Sequence, residues 1–286
     1  MKNILSLLFV LLSLHGFSQR FAWELFAGTA NYQGDLQEKR LTFESSRFAA
    51  GVGASYMLTD RLSGRAMFSW GKISADDKNN TDPMLVDRNL NFTSSIFELS
   101  MVGQLHLFKT LDSRFNPYLM GGIAVFHFDP YTFDTLGTKY YLKPLSTEGQ
   151  GLSRYPDKTP YSLTQISLPF GAGIKFSVTE ALSIGWEIGA RKTFTDYLDD
   201  VSGRYADFNT LLTAKGPKAV ELAYRSGELK TGGSPYPVEG TIRGGSKYKD
   251  WYYYSGLTVT YRLIPYSELT YNGKKGATTE CPKSVY

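Results

Sequence analysis

The stretch QISLPFGAGIKFSVTEALSIGWEIGAR, residues 165–191, decides the fold because its character alternates with a period of two residues on both sides of a minimal turn. Every second residue is apolar from Ile166 to Phe176, and again from Ile184 to Ala190. The residues between them are glycine, serine, proline or charged. A period of two predicts two antiparallel β-strands, each with one apolar face.

The small and polar face of these strands distinguishes between two kinds of β-protein. A soluble sandwich buries its large apolar residues, and the face that it turns to water rarely needs so many glycines. A small membrane barrel presents large residues to lipid, and its narrow lumen takes glycine, serine and a few charges that must pair with one another. The glycines favour the barrel, and an aromatic-rich soluble β-domain is the alternative.

Six further segments alternate in a similar way, which brings the expected number of strands to eight, the smallest closed membrane barrel. Their connections are long, minimal, long, short, long, minimal and long in chain order. Outer-membrane barrels have short periplasmic turns and long outer loops, so both termini are expected in the periplasm. The sequence thus predicts an all-β fold: an eight-stranded antiparallel transmembrane β-barrel of the outer membrane over residues 19–264, with long extracellular loops and short periplasmic turns.

Two details of this barrel can be predicted from local sequence. Short helices are expected in the last loop, one over 207–214 and one that begins at Pro217 and ends at Gly227. Aromatic residues near the strand ends are expected to form girdles at the two lipid interfaces. The periplasmic girdle comprises Phe21, Trp23, Tyr56, Phe176 and Tyr261, and the outer girdle comprises Trp70, Phe126, Trp251 and Tyr253; Trp186, near mid-strand, fits neither.

The two ends of the chain differ from the barrel. Residues 1–18, MKNILSLLFVLLSLHGFS, combine Lys2, an apolar run and small residues at Gly16 and Ser18, which predicts a secretory signal peptide rather than a short membrane anchor. Residues 265–286 are predicted to be a periplasmic tail. It holds Cys281, the one cysteine of the chain, which is either an incidental thiol or the site of an intermolecular disulfide.

Composition excludes several other classes of protein. No stretch after residue 20 approaches the roughly 20 consecutive apolar residues of a spanning helix, so a multi-helix membrane protein is excluded. The net charge of +4 is spread along the chain without basic clusters, and no nucleic-acid partner is expected.

Six charged residues fall on the lumen side of the predicted strands. Three are acidic and three are basic, and an unpaired charge in a lumen too narrow for bulk water would be costly. Equal numbers of opposite charges predict a buried ion-pair network, and a carboxylate pair for acid–base catalysis is the alternative. The six are Glu24, Arg65, Glu98, Lys175, Glu187 and Arg191.

No motif for catalysis, metal binding or a cofactor stands out. His106 and His127 lack ligand partners at useful spacing, and the glycines at 171–173 precede a strand instead of the helix that a dinucleotide fingerprint needs. The acidic residues Asp196, Asp199 and Asp200 could bind calcium. The alternative is that they anchor their own loop on nearby amides and on Arg204.

Several strings are familiar in combination: NYQGDL at 31–36, PYLMGGIAVFHFDP at 117–130, LSTEGQG at 145–151, LPFGAGIKF at 168–176 and TFTDYLDDVSGRY at 193–205. With them the chain resembles the outer-membrane barrel family that includes PorG, a component of the type IX secretion system, over nearly all of its mature length. The strings TEGQG and TDYLDDVS are the specific ones. This resemblance implies an OmpA-like barrel that associates with a periplasmic ring of the PorK lipoprotein and PorN, in a structural role without catalysis.

The periplasmic tail is the expected attachment surface, because three short turns expose far less than the roughly 800 Å² per partner of a stable interface. A disordered remnant is the alternative. The candidate contacts are Tyr266, Tyr271, Lys274, Lys275 and Cys281. Two other functions stay open: a general outer-membrane barrel for surface binding or envelope stability, and a lipid-modifying or proteolytic barrel enzyme, which the scarcity of histidine disfavours.

Overall fold

A closed antiparallel β-barrel of eight strands forms the body of the computed structural model, which describes residues 20–37, 45–110, 113–230 and 232–262. The strands follow one another around the barrel in chain order, and the last pairs with the first to close it. They are β1 (Phe21–Gln33), β2 (Arg47–Met57), β3 (Leu62–Asp76), β4 (Asn91–His106), β5 (Phe115–His127), β8 (Thr164–Ser177), β9 (Leu182–Thr193) and β10 (Trp251–Arg262). The predicted all-β, eight-stranded antiparallel barrel is confirmed.

Additional elements lie in the long connections. The segment 129–164, expected to be irregular, contains a hairpin of β6 (Pro130–Phe133) and β7 (Lys139–Tyr141), and β6 pairs with the first residues of β4. The helices are α1 (Pro83–Arg88), α2 (Phe208–Lys215) and α3 (Pro217–Ala223), with short 3₁₀ turns at Asp77–Asn79, Lys143–Leu145 and Ser226–Glu228. The two helices expected in the last loop are therefore present, although α3 ends four residues before Gly227.

Two tight turns, between β2 and β3 and between β8 and β9, use the same local chemistry. In each, a threonine hydroxyl accepts hydrogen bonds from the backbone amides two and three residues later. Thr59 accepts these bonds in the first turn and Thr179 in the second, which explains why both turn sequences, TDR at 59–61 and TEA at 179–181, begin with threonine. These turns and the connection from β4 to β5 define the short-turn end of the barrel; the opposite end carries the long loops.

The outward faces of the strands are apolar and exposed. Side chains such as Leu25, Leu99 and Ile123 are 54%, 57% and 61% exposed, whereas their neighbours in sequence face inward and are buried. Exposed apolar area on all eight strands would be unfavourable in water but suits the hydrocarbon of a membrane. The alternation read from residues 165–191 therefore places its large residues on the lipid side.

The assignment of Phe126 to the outer aromatic girdle is wrong. Phe126 is only 1% exposed because its position on β5 points into the barrel, in register with the inward Glu98 of β4. There it packs against Tyr252 and Phe128, with ring centroids 5.2 and 5.7 Å apart. The ring belongs to the internal core, which fills the barrel toward the long-loop end.

The long-loop end is closed by a compact cap, formed by residues 77–90, 128–163, 194–230 and 232–250. A buried cluster joins it to the barrel, with members from the strands such as Tyr32, Phe92 and Ile96 and members from the loops such as Leu198 and Tyr161. Among the described residues, none of the helices has the length and apolar character needed to cross a membrane. The predicted signal peptide, 1–18, and tail, 265–286, lie outside the described residues.

Candidate functional site: the charged lumen and its cap

A first cluster of four charged side chains in the lumen centres on Arg65 of β3. Its guanidinium forms two hydrogen bonds with the carboxylate of Glu187 on β9, 2.6 and 3.0 Å long. It also lies 3.4 Å from Glu24 on β1, whose other carboxylate oxygen accepts from Lys175 of β8 at 2.7 Å. Two acids and two bases from four strands thus neutralise one another within the barrel.

A second, separate pair lies nearer the cap. The guanidinium of Arg191 on β9 binds the carboxylate of Glu98 on β4 through two hydrogen bonds of 3.0 and 3.2 Å. The hydroxyl of Tyr252 donates to the same carboxylate at 2.8 Å, and the Tyr254 ring lies 4.4 Å from the guanidinium carbon. The six predicted lumen charges therefore form two neutral groups instead of one continuous network.

Lumen glycines make room for these charged and aromatic side chains. A Cβ atom at Gly173 would lie 2.5 Å from the ring of Tyr118, whose hydroxyl donates to Glu187 at 2.7 Å. A Cβ atom at Gly189 would lie 2.6 Å from Nη1 of Arg191. Such distances are too short for a real side chain, so Gly173 and Gly189 leave the space that Tyr118 and Arg191 occupy beside the two glutamates.

The sequence interpretation assigned the six charges but missed their hydrogen-bonding partners. The hydroxyls of Tyr118 and Tyr252 donate hydrogen bonds to Glu187 and Glu98, respectively. The side-chain oxygen of Gln104 accepts from Lys175 at 3.3 Å. All three share the inward parity of their strands, which is the signal that could have found them. Tyrosine is a good partner here because its hydroxyl donates to a carboxylate while its ring fills apolar space.

The cap is organised around the buried carboxylate of Glu148. It accepts hydrogen bonds from the backbone amides of Ser202 and Gly203, at 2.9 to 3.1 Å, and from the guanidinium of Arg243 at 3.1 Å. A neighbouring contact joins the Thr147 hydroxyl to the Asp200 carboxylate at 2.5 Å. The strings 147–151 and 195–202, which carry the sequence resemblance, therefore pack directly against each other.

The three aspartates that were considered for calcium bind different donors. Asp199 accepts from the hydroxyl of Tyr32 at 2.5 Å, Asp200 accepts from Tyr161 at 2.7 Å, and Asp196 accepts from Ser202 at 2.7 Å. Burial raises the pKa of Asp196 and of Asp200 to about 6 and raises the pKa of Asp199 well above its ordinary range. These carboxyls thus retain protons more readily than surface aspartates do.

No group of three or more histidine, cysteine, aspartate or glutamate side chains is arranged to hold a metal ion in the part of the chain that the structure describes. The prediction that Arg204 contacts the aspartates is wrong, because Arg204 donates to the carbonyl of Gly240 at 2.6 Å. Arg243 takes the place near them, donating to the backbone carbonyl of Asp200 at 2.6 Å. It comes from a loop segment far along the chain, which local sequence could not indicate.

The two histidines of the described residues lie on opposite faces of the barrel wall. Nε2 of His106 is 3.1 Å from the Ser63 hydroxyl inside the lumen, near the short-turn end. Nδ1 of His127 is 3.0 Å from the Thr164 hydroxyl at an exposed, outward position near the cap. The tail candidates Tyr266, Tyr271, Lys274, Lys275 and Cys281 lie outside the described residues.

A family model for a domain of unknown function, DUF6089, matches residues 1–215 of the chain. The chain belongs to the DUF6089 family. No curated protein sequence matches it.

Solved structures similar to this DUF6089 protein are small outer-membrane barrels. Neisserial surface protein A has a TM-score of 0.43 at 10% identity, over 85% of this chain and 97% of that one. The N-terminal barrel domain of Pseudomonas aeruginosa OprF gives 0.35 at 12%, over 85% and 98%, and OprG of the same species gives 0.37 at 12%, over 85% and 97%. At these identities and scores they add nothing to the topology described above, which is that of an outer-membrane β-barrel.

Proposed function

We propose that this barrel is a structural component of a type IX protein secretion system in the outer membrane, without catalytic activity, and that it associates with a periplasmic ring of the PorK lipoprotein and PorN. The observation that carries the proposal is the contact between the two strings most specific to the PorG resemblance. Glu148 of the first string binds Ser202 of the second, and Thr147 binds Asp200. The resemblance thus rests on residues that build the cap of this barrel.

The filled lumen supports a scaffold in preference to a channel. Arg65 and Glu187 bridge the lumen at one level, and Arg191 and Glu98 bridge it at another. Aromatic side chains occupy the space toward the cap. A substrate protein would have no room in such a lumen, so a role in secretion would be exercised through contacts with partners.

The proposed topology follows from the barrel class. A signal peptide at 1–18 directs the chain to the periplasm, the short-turn end faces the periplasm, and both termini lie there. The short turns offer little area, so residues 265–286 would supply the rest of the attachment, with Tyr266, Tyr271, Lys274 and Lys275 as contacts and Cys281 as a possible disulfide partner.

The test is co-purification of the intact barrel from detergent-solubilised envelopes that also contain PorK and PorN. The full chain should retain both proteins, deletion of 270–286 should lose them while the barrel stays heat-modifiable in gels, and Cys281→Ser should cause a smaller loss if a disulfide contributes. Absence of both proteins from the full-chain sample would contradict the secretion role. Undiminished co-purification by the truncated chain would contradict only the tail.

The second candidate is a general outer-membrane barrel that binds a ligand at the surface or stabilises the envelope. The large ordered cap favours it, because a scaffold attached from the periplasm does not require an elaborate outer surface. Deletion of the gene distinguishes the two: failure of secretion with an intact permeability barrier supports the first, and a leaky envelope with normal secretion supports the second.

A further inference from the structure

Two lysines and two aromatic residues lie together on the outward face of the barrel, where β9 and β10 meet the cap. Lys192 of β9 lies directly beside Trp251 of β10 in the register of the two strands. Phe194 follows Lys192 on the same face and is 56% exposed, and Lys249, two residues before Trp251, is also exposed. These four residues, Lys192, Phe194, Lys249 and Trp251, form the rim patch.

The backbone keeps the two segments of the rim patch side by side beyond the end of β9. The amide of Asp250 donates to the carbonyl of Thr195 at 3.0 Å, and the hydroxyl of Thr193 donates to the carbonyl of Asp250 at 2.6 Å. Lys192 and Lys249 are therefore diagonal neighbours across the two segments. Long side chains at diagonal positions can reach one another, so both ammonium groups can contact the same anion.

The rim patch lies at the outer boundary of the hydrocarbon. Lys192 is six residues beyond Trp186, which is near the middle of β9. Six residues of strand extend about 20 Å, and a tilt of about 40° reduces this to roughly 15 Å along the membrane normal. The apolar band of such a barrel is about 25 Å tall, so Lys192 lies just beyond its edge, among the lipid headgroups. Trp251 packs edge-on against the outward Phe170 of β8, with ring centroids 5.8 Å apart, which suits an interfacial tryptophan.

The lysines of this region are not paired with acids in the part of the chain that the structure describes. The ammonium of Lys249 donates to the backbone carbonyl of Ser246 at 3.2 Å. The neighbouring Lys247 is exposed, and its ammonium lies 5.6 Å from the centroid of the Tyr248 ring. Lys192 is exposed and forms no ion pair with a described residue. Three positive charges thus face outward without a carboxylate to balance them.

Two acids beside these segments face the interior of the barrel and its cap. Asp196 and Asp250 are only 2% and 1% exposed. Asp196 accepts a hydrogen bond from the hydroxyl of Ser202, and Asp250 accepts one from the amide of Leu198. Lys249 attracts the buried carboxyl of Asp196 but forms no hydrogen bond with it. The outward surface of the rim patch is therefore electropositive.

The surroundings of the rim patch favour a lipid over a soluble anion. Directly below it the apolar wall continues with Leu168, which lies beside Lys192 on β8, and with Ile188 on β9, both 37% exposed. The acyl chains of a bound lipid would lie against these side chains. A phosphate monoester offers several charged oxygen acceptors, which two ammonium groups can share. Basic residues at the membrane surface attract anionic headgroups in this way.

We propose that the rim patch binds the phosphate of an anionic lipid headgroup in the outer leaflet. Lys192 and Lys249 donate to the phosphate, and Phe194 and Trp251 contact the apolar part of the same lipid. The inference depends on the insertion of the barrel in a membrane and not on the proposed role in secretion.

Short-chain lipids make a direct test possible. The mature full-length barrel, folded in micelles of a neutral detergent, is titrated with dioctanoyl phosphatidic acid, and native mass spectrometry measures the lipid that stays bound. Dioctanoyl phosphatidylcholine, whose phosphate charge is offset by the choline group, is the parallel titrant. Phosphatidic acid should bind in a saturable way and about 25-fold more tightly than phosphatidylcholine, because each lysine at a membrane surface contributes about fivefold.

Variants identify the residues that bind. Lys192→Gln and Lys249→Gln should each weaken the binding of phosphatidic acid about fivefold, and the double variant about 25-fold. Lys72→Gln is the matched control, because it removes a lysine near Trp70 on the opposite wall of the barrel, where no second lysine lies beside it. It should leave the affinity unchanged. Heat-modifiable migration of each variant confirms that the barrel is folded.

Three results would overturn the proposal: unchanged affinity of the double variant for phosphatidic acid, an equal loss in Lys72→Gln, or equal affinity of the unmodified barrel for the two lipids. Inorganic phosphate, added as its ammonium salt, distinguishes a lipid headgroup from a free ion. Retention of phosphatidic acid in an equal concentration of inorganic phosphate supports the lipid. Displacement of phosphatidic acid by the salt assigns the patch to a free anion and contradicts the proposal.

Discussion

Arg65 and Glu187 join opposite walls of the barrel. β3 and β9 are separated by three strands when the sheet is followed through β2, β1 and β10, and by three in the other direction, yet the two side chains form hydrogen bonds of 2.6 and 3.0 Å. The pair therefore spans the full width of the lumen. Because both side chains are buried, each depends on the other for its charge to be compensated.

Removing one member of this pair should destabilise the barrel strongly. Glu187→Ala leaves Arg65 with one carboxylate contact, the longer one to Glu24, and leaves the Tyr118 hydroxyl without its acceptor. We expect a loss of about 3–5 kcal/mol in the free energy of unfolding, the usual cost of a broken buried pair. Urea unfolding in lipid vesicles, followed by tryptophan fluorescence, measures it.

Two control variants separate pairing from simple loss of a side chain. The double variant Arg65→Met with Glu187→Met should be less destabilised than Glu187→Ala, since no charge is left unpaired. Glu239→Ala, which breaks the exposed pair with Arg154, should leave the unfolding midpoint unchanged. A double variant less stable than the single one would contradict the pairing argument.

The lumen should not conduct ions steadily. Two bridging ion pairs and the aromatic core leave the barrel filled along most of its length. In planar bilayers, insertion verified by protease protection should produce no large, constant conductance. A steady open pore in the unmodified protein would show that the lumen is open in the membrane.

Much of the barrel was predictable because its physics is local. The sequence of each strand shows alternation with a period of two. The number of strands and the alternation of short turns with long loops then predict a closed barrel of eight strands. The lumen charges were assigned by parity alone, since a residue such as Lys175 between Ile174 and Phe176 must face the other side. The division into two neutral groups depends on register around the barrel, which no single strand encodes.

The cap was not predictable in the same way. Its central pair joins Glu148 to Arg243, 95 residues apart, and its aspartates are held by Tyr32 and Tyr161 from other elements. Nothing in the periodicity of the loops indicates these contacts. Phe126 shows the same limit within a strand, because an aromatic residue at a strand end can serve the lipid girdle or the internal core, and only its register decides which.

Tryptophan depth tests the insertion of the barrel in lipid. Trp186 faces outward near the middle of β9, with 45% of its surface exposed, and Trp251 begins β10 at the level of the cap. In single-tryptophan variants reconstituted with brominated lipids, bromine deep in the acyl chains should quench Trp186 most, and bromine near the headgroups should quench Trp251 most. Equal, weak quenching of both by all lipids would contradict the membrane-spanning position.

The stability of the cap should depend on pH through its buried aspartates. Burial raises the pKa of Asp200 from 3.8 to about 6, against the attraction of Arg243 and hydrogen bonds from Thr147 and Tyr161. Between pH 4 and pH 6 the folded cap therefore binds more protons than the unfolded chain, so its stability falls as the pH rises through this window. Asp196, whose pKa burial also raises to about 6, acts in the same direction.

Asp200→Asn should remove most of the contribution of Asp200 to the pH dependence of cap stability. Thr147 and Tyr161 donate to different oxygens of Asp200, so asparagine keeps an acceptor for one of these hydroxyls and its amide group can donate to the other. Asparagine also tolerates the left-handed backbone conformation at this position, φ 66°. Hydrogen-exchange protection factors for residues 195–205 should match those of the unmodified protein at about pH 3, below the pKa of an unfolded aspartate, and exceed them at pH 8. Asp157→Asn, at an exposed site in the same cap, should change neither value, and lower protection of Asp200→Asn at pH 8 would show that the ionised carboxylate stabilises the cap.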